Sequence, residues 1–232
     1  MNGRPVKAVI FDKDGTLLDF GSWDETTGAV FEHLTNGDPD RLSAMAEAFG
    51  YDLVTRRVLA GSMLIAESTG VIADAMAPFV DPAVDFTADV LDNLLQEQMV
   101  QHLREMPGAS ELLSTLTDQG MVLGIATNDG EAGAHTMIEA FGWQGVFDVV
   151  AGYDSGHGSK PDPRMVLGVC AGLGVEPAQA VMVGDSSHDI DAGRAAGTRT
   201  IAISSAFAPD ELGADATIGS LAEFPAALAS LP

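Results

Sequence analysis

The chain has little cysteine, little positive charge and no long apolar run. Its single cysteine, Cys170, cannot form a disulfide within the chain, so we expect a reducing, cytoplasmic location. No apolar stretch approaches the roughly 20 residues of a membrane-spanning helix. The apolar run at residues 8–11 leads directly into Asp12, unlike the apolar region of a signal peptide. These absences argue against a secreted or membrane protein.

Positive charge is scarce throughout the chain. Lysine and arginine total 11 residues against 34 acidic residues, which gives a formal net charge of −23. Such a surface repels the phosphate backbone of nucleic acids and repels anionic membranes, so we expect neither as a partner. An anionic small molecule would need local cations in order to bind. The chain has only three lysines, Lys7, Lys13 and Lys160, so few side chains can supply that charge.

The strand and helix patterns of the chain predict its fold class. With 232 residues, 46% of them hydrophobic, the chain can form one large domain or a core with a smaller insertion. The predicted strands are residues 6–11, 121–126, 146–151, 180–183, 200–203 and, as a short sixth strand, 216–218. Helical patterns alternate with the later strands, which predicts right-handed crossovers and a mostly parallel sheet covered on both faces. We therefore expect an α/β fold with a Rossmann-like three-layer core.

The segment between the first two predicted strands has a different pattern. From about residue 22 to about residue 103, apolar residues recur with helical spacing and no strand is predicted. Ser22, followed three residues later by Glu25, fits a capping box, and residues 53–67 fit one helix. Asp81 with Pro82 is expected to begin the last long helix. We expect a helical cap domain over residues 19–103, inserted into a discontinuous core of residues 1–18 and 104–232.

A helical cap would exclude water from a site beneath it and would select the substrate. Arg56 and Arg57 are adjacent cations on the predicted 53–67 helix, and one of them is a candidate to bind a substrate carboxylate. Phe20 and Trp23, just after the first hinge, are candidates to line the same pocket.

Polar side chains follow four of the predicted strands at the point where each strand ends. They are Asp12 and Asp14 after the first, Thr127 and Asn128 after the second, Lys160 beyond the third, and Asp185 and Asp189 after the fourth. Because the carboxyl ends of parallel strands share one edge, we expect these groups to converge. Several carboxylates suit a hard cation such as Mg²⁺, while the hydroxyl, amide and ammonium groups can donate to phosphate oxygens.

Some polar residues beside these strand ends have a different interpretation. Lys13 lies between the two acids of the first strand end, and we expect its side chain to point away from them as a solvated or cap-facing cation. Asn128 is as well suited to cap the following helix as to bind phosphate. His157 and His188 lie beside the motifs and are candidates to touch the substrate, although a solvated or locally bonded side chain is the favoured interpretation.

The polar strand ends resemble the motifs of the haloacid dehalogenase-like hydrolase superfamily, and within it those of phosphoglycolate phosphatase-like members. The matching segments, in the family's order, are Asp12-Lys13-Asp14-Gly15-Thr16, Thr127-Asn128, Lys160-Pro161 and Gly184-Asp185-Ser186-Ser187-His188-Asp189. Each segment is short, but four in order at predicted strand ends are a specific signal. The predicted helical segment occupies the position of the family's cap.

The resemblance implies the chemistry of the acidic residues. Asp12 is expected to be the nucleophile that forms an aspartyl-phosphate, and Asp14 the general acid and base. Mg²⁺ is expected on an Asp12 oxygen, the main-chain carbonyl of Asp14, and Asp185. Asp189 is expected to contact the metal through water, in the second shell.

The resemblance also implies how the phosphoryl group is held. Thr127, Asn128 and Lys160 are expected to bind the phosphate of the substrate. Lys160 is in addition expected to act in catalysis, because its charge allows an anionic carboxylate to attack an anionic phosphate.

The predicted function is Mg²⁺-dependent hydrolysis of a small, phosphoglycolate-like phosphate monoester by a monomer or homodimer. A phosphosugar mutase of the same fold is an alternative, since it shares every core motif and differs in the acceptor of the phosphoryl group. Dehalogenation uses one aspartate and no metal, so Asp14 and Asp185 argue against it. A non-catalytic phosphoaspartate signalling module is a further alternative, but such modules are shorter and have no lid.

Overall fold

Strand β1 (Ala8–Phe11) is the centre of the fold, and all four of its side chains are buried. The structure is a computed structural model that describes residues 5–65, 67–204 and 212–231, without the side chains of Phe20 and Ile65. After β1 the elements are α1 (Phe20–Leu34), α2 (Pro39–Phe49), β2 (Tyr51–Asp52), β3 (Arg57–Val58), α3 (Thr69–Met76), α4 (Ala88–His102), α5 (Ala109–Asp118), β4 (Val122–Ala126), α6 (Glu131–Ala140), β5 (Val149–Ala151), α7 (Arg164–Gly172), β6 (Ala180–Gly184), α8 (Ser187–Ala196), β7 (Arg199–Ile203), β8 (Ala216–Ile218) and α9 (Phe224–Ser230).

Among the described residues, six strands form one parallel sheet in the order β5-β4-β1-β6-β7-β8. β1 pairs with β4 on one side and with β6 on the other, so that Phe11 lies opposite Ile125 and Val183. The short strand predicted at residues 216–218 is present as β8 at one edge. The predicted α/β fold with a mostly parallel sheet is confirmed.

Alternating side chains of β1 face two hydrophobic layers, one on each side of the sheet. Val9 and Phe11 belong to one cluster, which continues into α5 and Phe224 of α9. Ala8 and Ile10 belong to the other, which α7 and α8 cover. Cys170 lies in this second cluster and is buried, as expected for a small apolar side chain. Helices therefore cover both faces of the sheet and make three layers.

Residues 20–102 form the insert, by which we mean α1 to α4 together with the hairpin β2–β3 and short 3₁₀ turns. The two ends of the insert lie next to each other. Met106 N donates to Leu17 O at 2.9 Å, and Asp19 N donates to Arg104 O at 2.9 Å. The chain therefore leaves the sheet and returns to it at one place, directly after Asp14.

The helix predicted over residues 53–67 is wrong. The segment forms a turn, the strand β3 and a 3₁₀ turn at Met63–Ile65. The Asp52 carboxylate accepts hydrogen bonds from Val54 N (2.8 Å) and Thr55 N (3.0 Å), which closes a tight turn instead of a helical one. Arg56 has a φ of 53°, which a helix does not allow.

The predicted starts of two helices in the insert are also wrong. Asp19, not Ser22, caps α1 by accepting from Gly21 N at 2.8 Å, while Ser22 Oγ accepts from Arg104 N at 2.8 Å. The last long helix begins at Ala88, capped by Thr87, and not at Asp81. Within the described ranges, no helix combines the length and the apolar character needed to cross a membrane.

Candidate active site

The predicted strand-end residues meet in one cleft of about 440 Å³ at the carboxyl edge of the sheet. The cleft is lined by the carboxylates Asp12, Asp14, Asp185 and Asp189, and by Thr127, Asn128 and Lys160. Main-chain bonds continue beyond the strands and fix this arrangement. Asp12 N donates to Val183 O at 2.8 Å, and Thr127 N donates to Ala151 O at 2.9 Å. The convergence expected from parallel strand ends is therefore observed.

Lys160 is buried and connects two of the carboxylates. Its ammonium lies 2.6 Å from Asp12 Oδ1 and 2.5 Å from Asp189 Oδ1. Burial alone would lower the pKa of Lys160, but the two carboxylates outweigh it and raise the pKa above its usual range. Lys160 therefore stays protonated and brings a permanent positive charge next to Asp12.

Asn128 holds the main chain of Lys160. Lys160 N donates to Asn128 Oδ1 at 2.8 Å, and Asn128 Nδ2 donates to Lys160 O at 3.0 Å. The helix α6 has Gly130 as its N-cap residue, so the alternative of Asn128 as that cap is wrong. The side-chain amide thereby positions the residue that carries the cation.

Asp12, Asp185 and Asp189 form a buried cluster in which one oxygen of each lies within 4.8 Å of the others. Burial, only partly offset by Lys160, raises the pKa of Asp12 to about 7, with a further contribution from Asp189. Three carboxylates and one ammonium leave two uncompensated negative charges in the cluster. A hard divalent cation would neutralise them, and carboxylate oxygens are its preferred ligands, so the residues present fit such an ion.

Asp189 has partners for both of its carboxylate oxygens. Oδ1 accepts from Lys160, and Oδ2 accepts from Ser186 N (3.0 Å) and Ser186 Oγ (2.6 Å). Ser186 is also the N-cap of α8 and forms a capping box with Asp189. The first turn of α8 therefore holds Asp189 rigidly against the cleft.

Gly184 allows this close packing. A Cβ atom at this position would lie 2.3 Å from Asp189 Cβ and Cγ, closer than any real contact. The last residue of β6 must therefore lack a side chain for Asp189 to reach Lys160.

The expectation that Lys13 points away from its neighbouring acids is wrong. Its ammonium is buried, 2.7 Å from Asp14 Oδ1 and 2.8 Å from Asp129 Oδ2. Lys13 lies two residues after β1, and its side chain reaches Asp129, which follows the neighbouring strand β4. Burial raises the pKa of Asp14 to about 6; Lys13 opposes this rise and Asp129 adds to it.

Sequence reasoning therefore missed the pairing of Lys13 with Asp14 and Asp129. One signal could have found it. In a chain with three lysines and a net charge of −23, a lysine inside an acidic segment has a strong tendency to pair with nearby carboxylates. Asp129 follows the end of β4, the immediate neighbour of β1, so it was the nearest further carboxylate.

The insert contributes Trp23, Leu64 and Glu67 to the cleft. The prediction that Trp23 lines the pocket is thus confirmed, whereas the side chain of Phe20 lies outside the described residues. The candidate role of Arg56 and Arg57 is wrong, because neither lines the cleft. Arg56 Nη1 instead donates to Glu32 Oε1 at 3.0 Å on the surface.

Known proteins resemble the whole chain. Residues 6–197 match the family model for haloacid dehalogenase-like hydrolase. A phosphoglycolate phosphatase of Chromobacterium violaceum is 31% identical over 227 residues, with 96% of each chain covered. An N-acetylmuramic acid 6-phosphate phosphatase of Pseudomonas aeruginosa is 32% identical over 209 residues, covering 88% of this chain and 84% of that protein.

A solved structure extends the likeness to the fold. The crystal structure of CbbY from Rhodobacter sphaeroides in complex with phosphate superposes with a TM-score of 0.73 at 24% identity, covering 97% of this chain and 99% of that one. The sheet, the converging strand ends and these matches define a hydrolase with an aspartate-rich site. The chain belongs to the haloacid dehalogenase-like hydrolase family. The predicted family is confirmed, and with it the predicted class of enzyme, a hydrolase whose relatives are phosphatases.

Proposed function

We propose that the chain is a Mg²⁺-dependent phosphatase that hydrolyses a small phosphate monoester through an aspartyl-phosphate intermediate. The observation that supports it most is the 2.6 Å contact between Lys160 Nζ and Asp12 Oδ1 at the end of the central strand. A carboxylate that attacks a phosphate must approach a group of like charge. A buried, permanently protonated ammonium beside the attacking oxygen offsets that repulsion.

Asp12 is the proposed nucleophile. One of its oxygens attacks phosphorus, the bond to the leaving alkoxide breaks, and an acyl phosphate forms on Asp12. Its main chain is anchored to β6 through Val183 O, so the carboxylate is presented from a rigid strand end.

Asp14 is the proposed general acid and base. A pKa of about 6 allows it to carry a proton for the leaving alkoxide and then to accept one from the attacking water. Lys13 holds the carboxylate of Asp14 through one oxygen, which leaves the other oxygen for proton transfer.

The phosphoryl group is proposed to lie between Lys160 and Thr127. Thr127 is buried in the cleft, and its Oγ1 accepts from Asp129 N at 3.1 Å, so its own proton is available to a phosphate oxygen. Asn128 is proposed to contact the phosphate as well as to position Lys160.

Mg²⁺ is proposed to bind Asp12, Asp185 and the main-chain carbonyl of Asp14. When bound it would supply positive charge to the phosphoryl oxygens and to Asp12. Asp189 is proposed to act indirectly, since Lys160 and Ser186 already engage both of its oxygens.

The remaining features of the proposal concern the chain as a whole. Residues 1–18 and 104–232 are proposed as the catalytic core and residues 19–103 as a helical cap over the cleft. Phosphoglycolate and N-acetylmuramic acid 6-phosphate, the substrates in the names of the two relatives, serve as reference compounds in the substrate panel. A cytoplasmic location is proposed from the single, buried cysteine.

The test is phosphate release from a panel of small phosphate monoesters, with Mg²⁺ or with a chelator. Asp12→Asn keeps the shape of the side chain but removes the nucleophile, so turnover is expected to fall by at least about 1000-fold. Asp118→Asn, at an exposed position at the end of α5, is the matched control and is expected to behave like wild type.

Two outcomes would contradict the proposal. No metal-dependent turnover, together with a stable phosphoprotein in mass spectra, would favour a signalling module. Conversion of a sugar phosphate to its isomer without release of phosphate would identify a mutase.

A further inference from the structure

A second cavity lies next to the cleft. This second cavity, of about 370 Å³, is lined by α4, by α6 and by the loop before α6. The two cavities share Trp23 and Asp129 among their lining residues. We refer to the cleft and the second cavity together as the leaving-group pocket.

No arginine side chain of the described residues lines the leaving-group pocket. Among the described residues, the lysines that line it are Lys160 and Lys13, and both already have carboxylate partners. Lys160 is paired with Asp12 and Asp189, and Lys13 with Asp14 and Asp129.

The other cations are engaged or exposed elsewhere. Apart from Arg4, every lysine and arginine lies in the described residues, and residues 205–211 contain neither type. Arg41 bonds to Val80 O, Arg56 to Glu32, Arg164 to Asp162, Arg194 to Asp191 and Arg199 to Ala178 O, whereas Lys7, Arg57 and Arg104 are exposed.

The pocket instead presents carboxylates and neutral polar groups. Glu67 of the insert lines the cleft, and Asp92 and Gln96 of α4 line the second cavity. The carboxylate of Asp92 is held toward the loop after β5, because Tyr153 OH donates to its Oδ2 at 2.6 Å. These groups can accept hydrogen bonds from hydroxyls, and the amide can also donate.

Beside these polar groups, the pocket has a flat apolar surface, further apolar side chains (Leu64, Leu95 and Met99) and more hydrogen-bonding side chains. Trp23 is nearly buried between the two cavities, and its ring offers such a surface. Thr136 of α6 lines the second cavity, and His188 lines the cleft with a buried Nδ1 that has no hydrogen-bond partner among the described residues.

Resting on the proposed phosphatase function, we infer that the substrate is a phosphate monoester whose leaving group is polyhydroxylated and carries no negative charge of its own. A carboxylate in the leaving-group pocket would face Glu67 and Asp92 without an unpaired cation to receive it. Like charges placed together in a partly desolvated pocket are strongly unfavourable. Phosphoglycolate, whose leaving alkoxide carries a carboxylate, is therefore expected to be a poor substrate of this chain.

The experiment uses substrates that are matched except for the carboxylate. The first pair is 2-hydroxyethyl phosphate and 2-phosphoglycolate, and the second is glycerol 3-phosphate and 3-phosphoglycerate. In each pair kcat/KM of wild-type enzyme with Mg²⁺ is expected to be higher for the neutral member by about tenfold or more. A ratio at or below one in both pairs overturns the inference.

Charge reversal at the pocket provides the second test. Glu67 is exposed, so Glu67→Lys is expected to fold, and it is expected to reduce the neutral-to-carboxylate ratio of kcat/KM by about tenfold. Glu47→Lys makes the same change in net charge on the exposed side of α2 and is expected to leave the ratio unchanged. An unchanged ratio in Glu67→Lys overturns the inference.

Failure of the inference can be told apart from failure of the proposed function. Para-nitrophenyl phosphate, which needs no specific leaving-group contacts, reports phosphatase activity alone. Its Mg²⁺-dependent hydrolysis together with a preference for 2-phosphoglycolate refutes only the inference. Absence of its hydrolysis, with no turnover of any panel member, refutes the proposed function and the inference with it.

Discussion

The side chain of Asn128 binds both main-chain polar groups of Lys160, 32 residues further along the sequence. The two residues come from the ends of different strand–loop units, so the contact joins the loop after β4 to the loop before α7. The side-chain amide of Asn128 thus pairs with the main-chain N–H and C=O of Lys160 as another strand would, and this pairing fixes the position of the cation that contacts Asp12.

Asn128→Ala removes both of these hydrogen bonds. We expect kcat to fall by about 10- to 100-fold with a smaller change in KM, because Lys160 is then displaced from the nucleophile. Steady-state kinetics with para-nitrophenyl phosphate measure the effect. Asn93→Ala, at an exposed position on α4, is the control, and equal kinetics for the two variants would contradict the positioning role.

Lys13 and Asp129 are expected to shift the pH dependence in opposite directions. The pKa of Asp14 is about 6; burial is the largest cause of the rise, Lys13 lowers the pKa and Asp129 raises it. As the proposed general acid, Asp14 must be protonated to assist the leaving group, so its pKa is expected to set the alkaline limb of kcat/KM. Lys13→Met should move this limb to higher pH, and Asp129→Asn should move it to lower pH. Limbs that do not move in either variant would exclude Asp14 as the acid.

Stability without metal is expected to fall as pH rises. The pKa of Asp12 is raised from 3.8 to about 7, so the folded state binds its proton more tightly than the unfolded state does. The stabilisation is complete below about pH 4 and is lost as pH rises through about 7. Urea unfolding between pH 5 and 8 measures it, with Asp12→Asn as the variant that lacks this contribution.

Mg²⁺ is expected to reverse that loss at neutral pH. A ligand present at 100 times its Kd stabilises the folded state by about 2.7 kcal/mol. Wild-type protein should therefore gain stability on addition of Mg²⁺, and Asp12→Asn should gain less. Equal gains in the two proteins would place the cation away from Asp12.

Gly184→Ala is expected to disrupt the cleft. The new methyl group would overlap Asp189, so we expect a loss of about 1–3 kcal/mol in the free energy of unfolding together with a loss of activity. Gly133→Ala is the matched control, because a Cβ there meets nothing within 4 Å and alanine favours the interior of α6. Thermal unfolding measures the stability of both variants. Equal stability would show that Asp189 can move away from the new methyl group without a loss in the free energy of unfolding.

The strand ends could be predicted from the sequence because burial and polarity change abruptly there. Phe11 is fully buried and Asp12 follows it at once, and the same change occurs between Ala126 and Thr127. Parallel pairing then brings such points to one edge, whatever the lengths of the helices between them. Local sequence alone therefore located the residues of the cleft.

Side-chain direction and local turns in the insert could not be predicted in the same way. The direction of Lys13 depends on Asp129, more than 100 residues away, and helical periodicity across residues 53–67 concealed the turn that Asp52 closes. Serine is a common N-cap residue, but the hydroxyl oxygen of Ser22 accepts a hydrogen bond from Arg104 N instead. Each failure involves a contact with a distant residue or a single polar side chain that outweighs the periodic pattern.

The two ends of the insert lie side by side, so the insert can change in sequence without a change in the sheet. Main-chain hydrogen bonds join Leu17 to Met106 and Asp19 to Arg104, so the whole insert is connected to the core at this one place. A segment of different length or sequence could be inserted between these two points without changing the order of the strands or the position of Asp12. Substrate preference can therefore diverge by replacement of a whole module while the hydrolytic machinery stays the same.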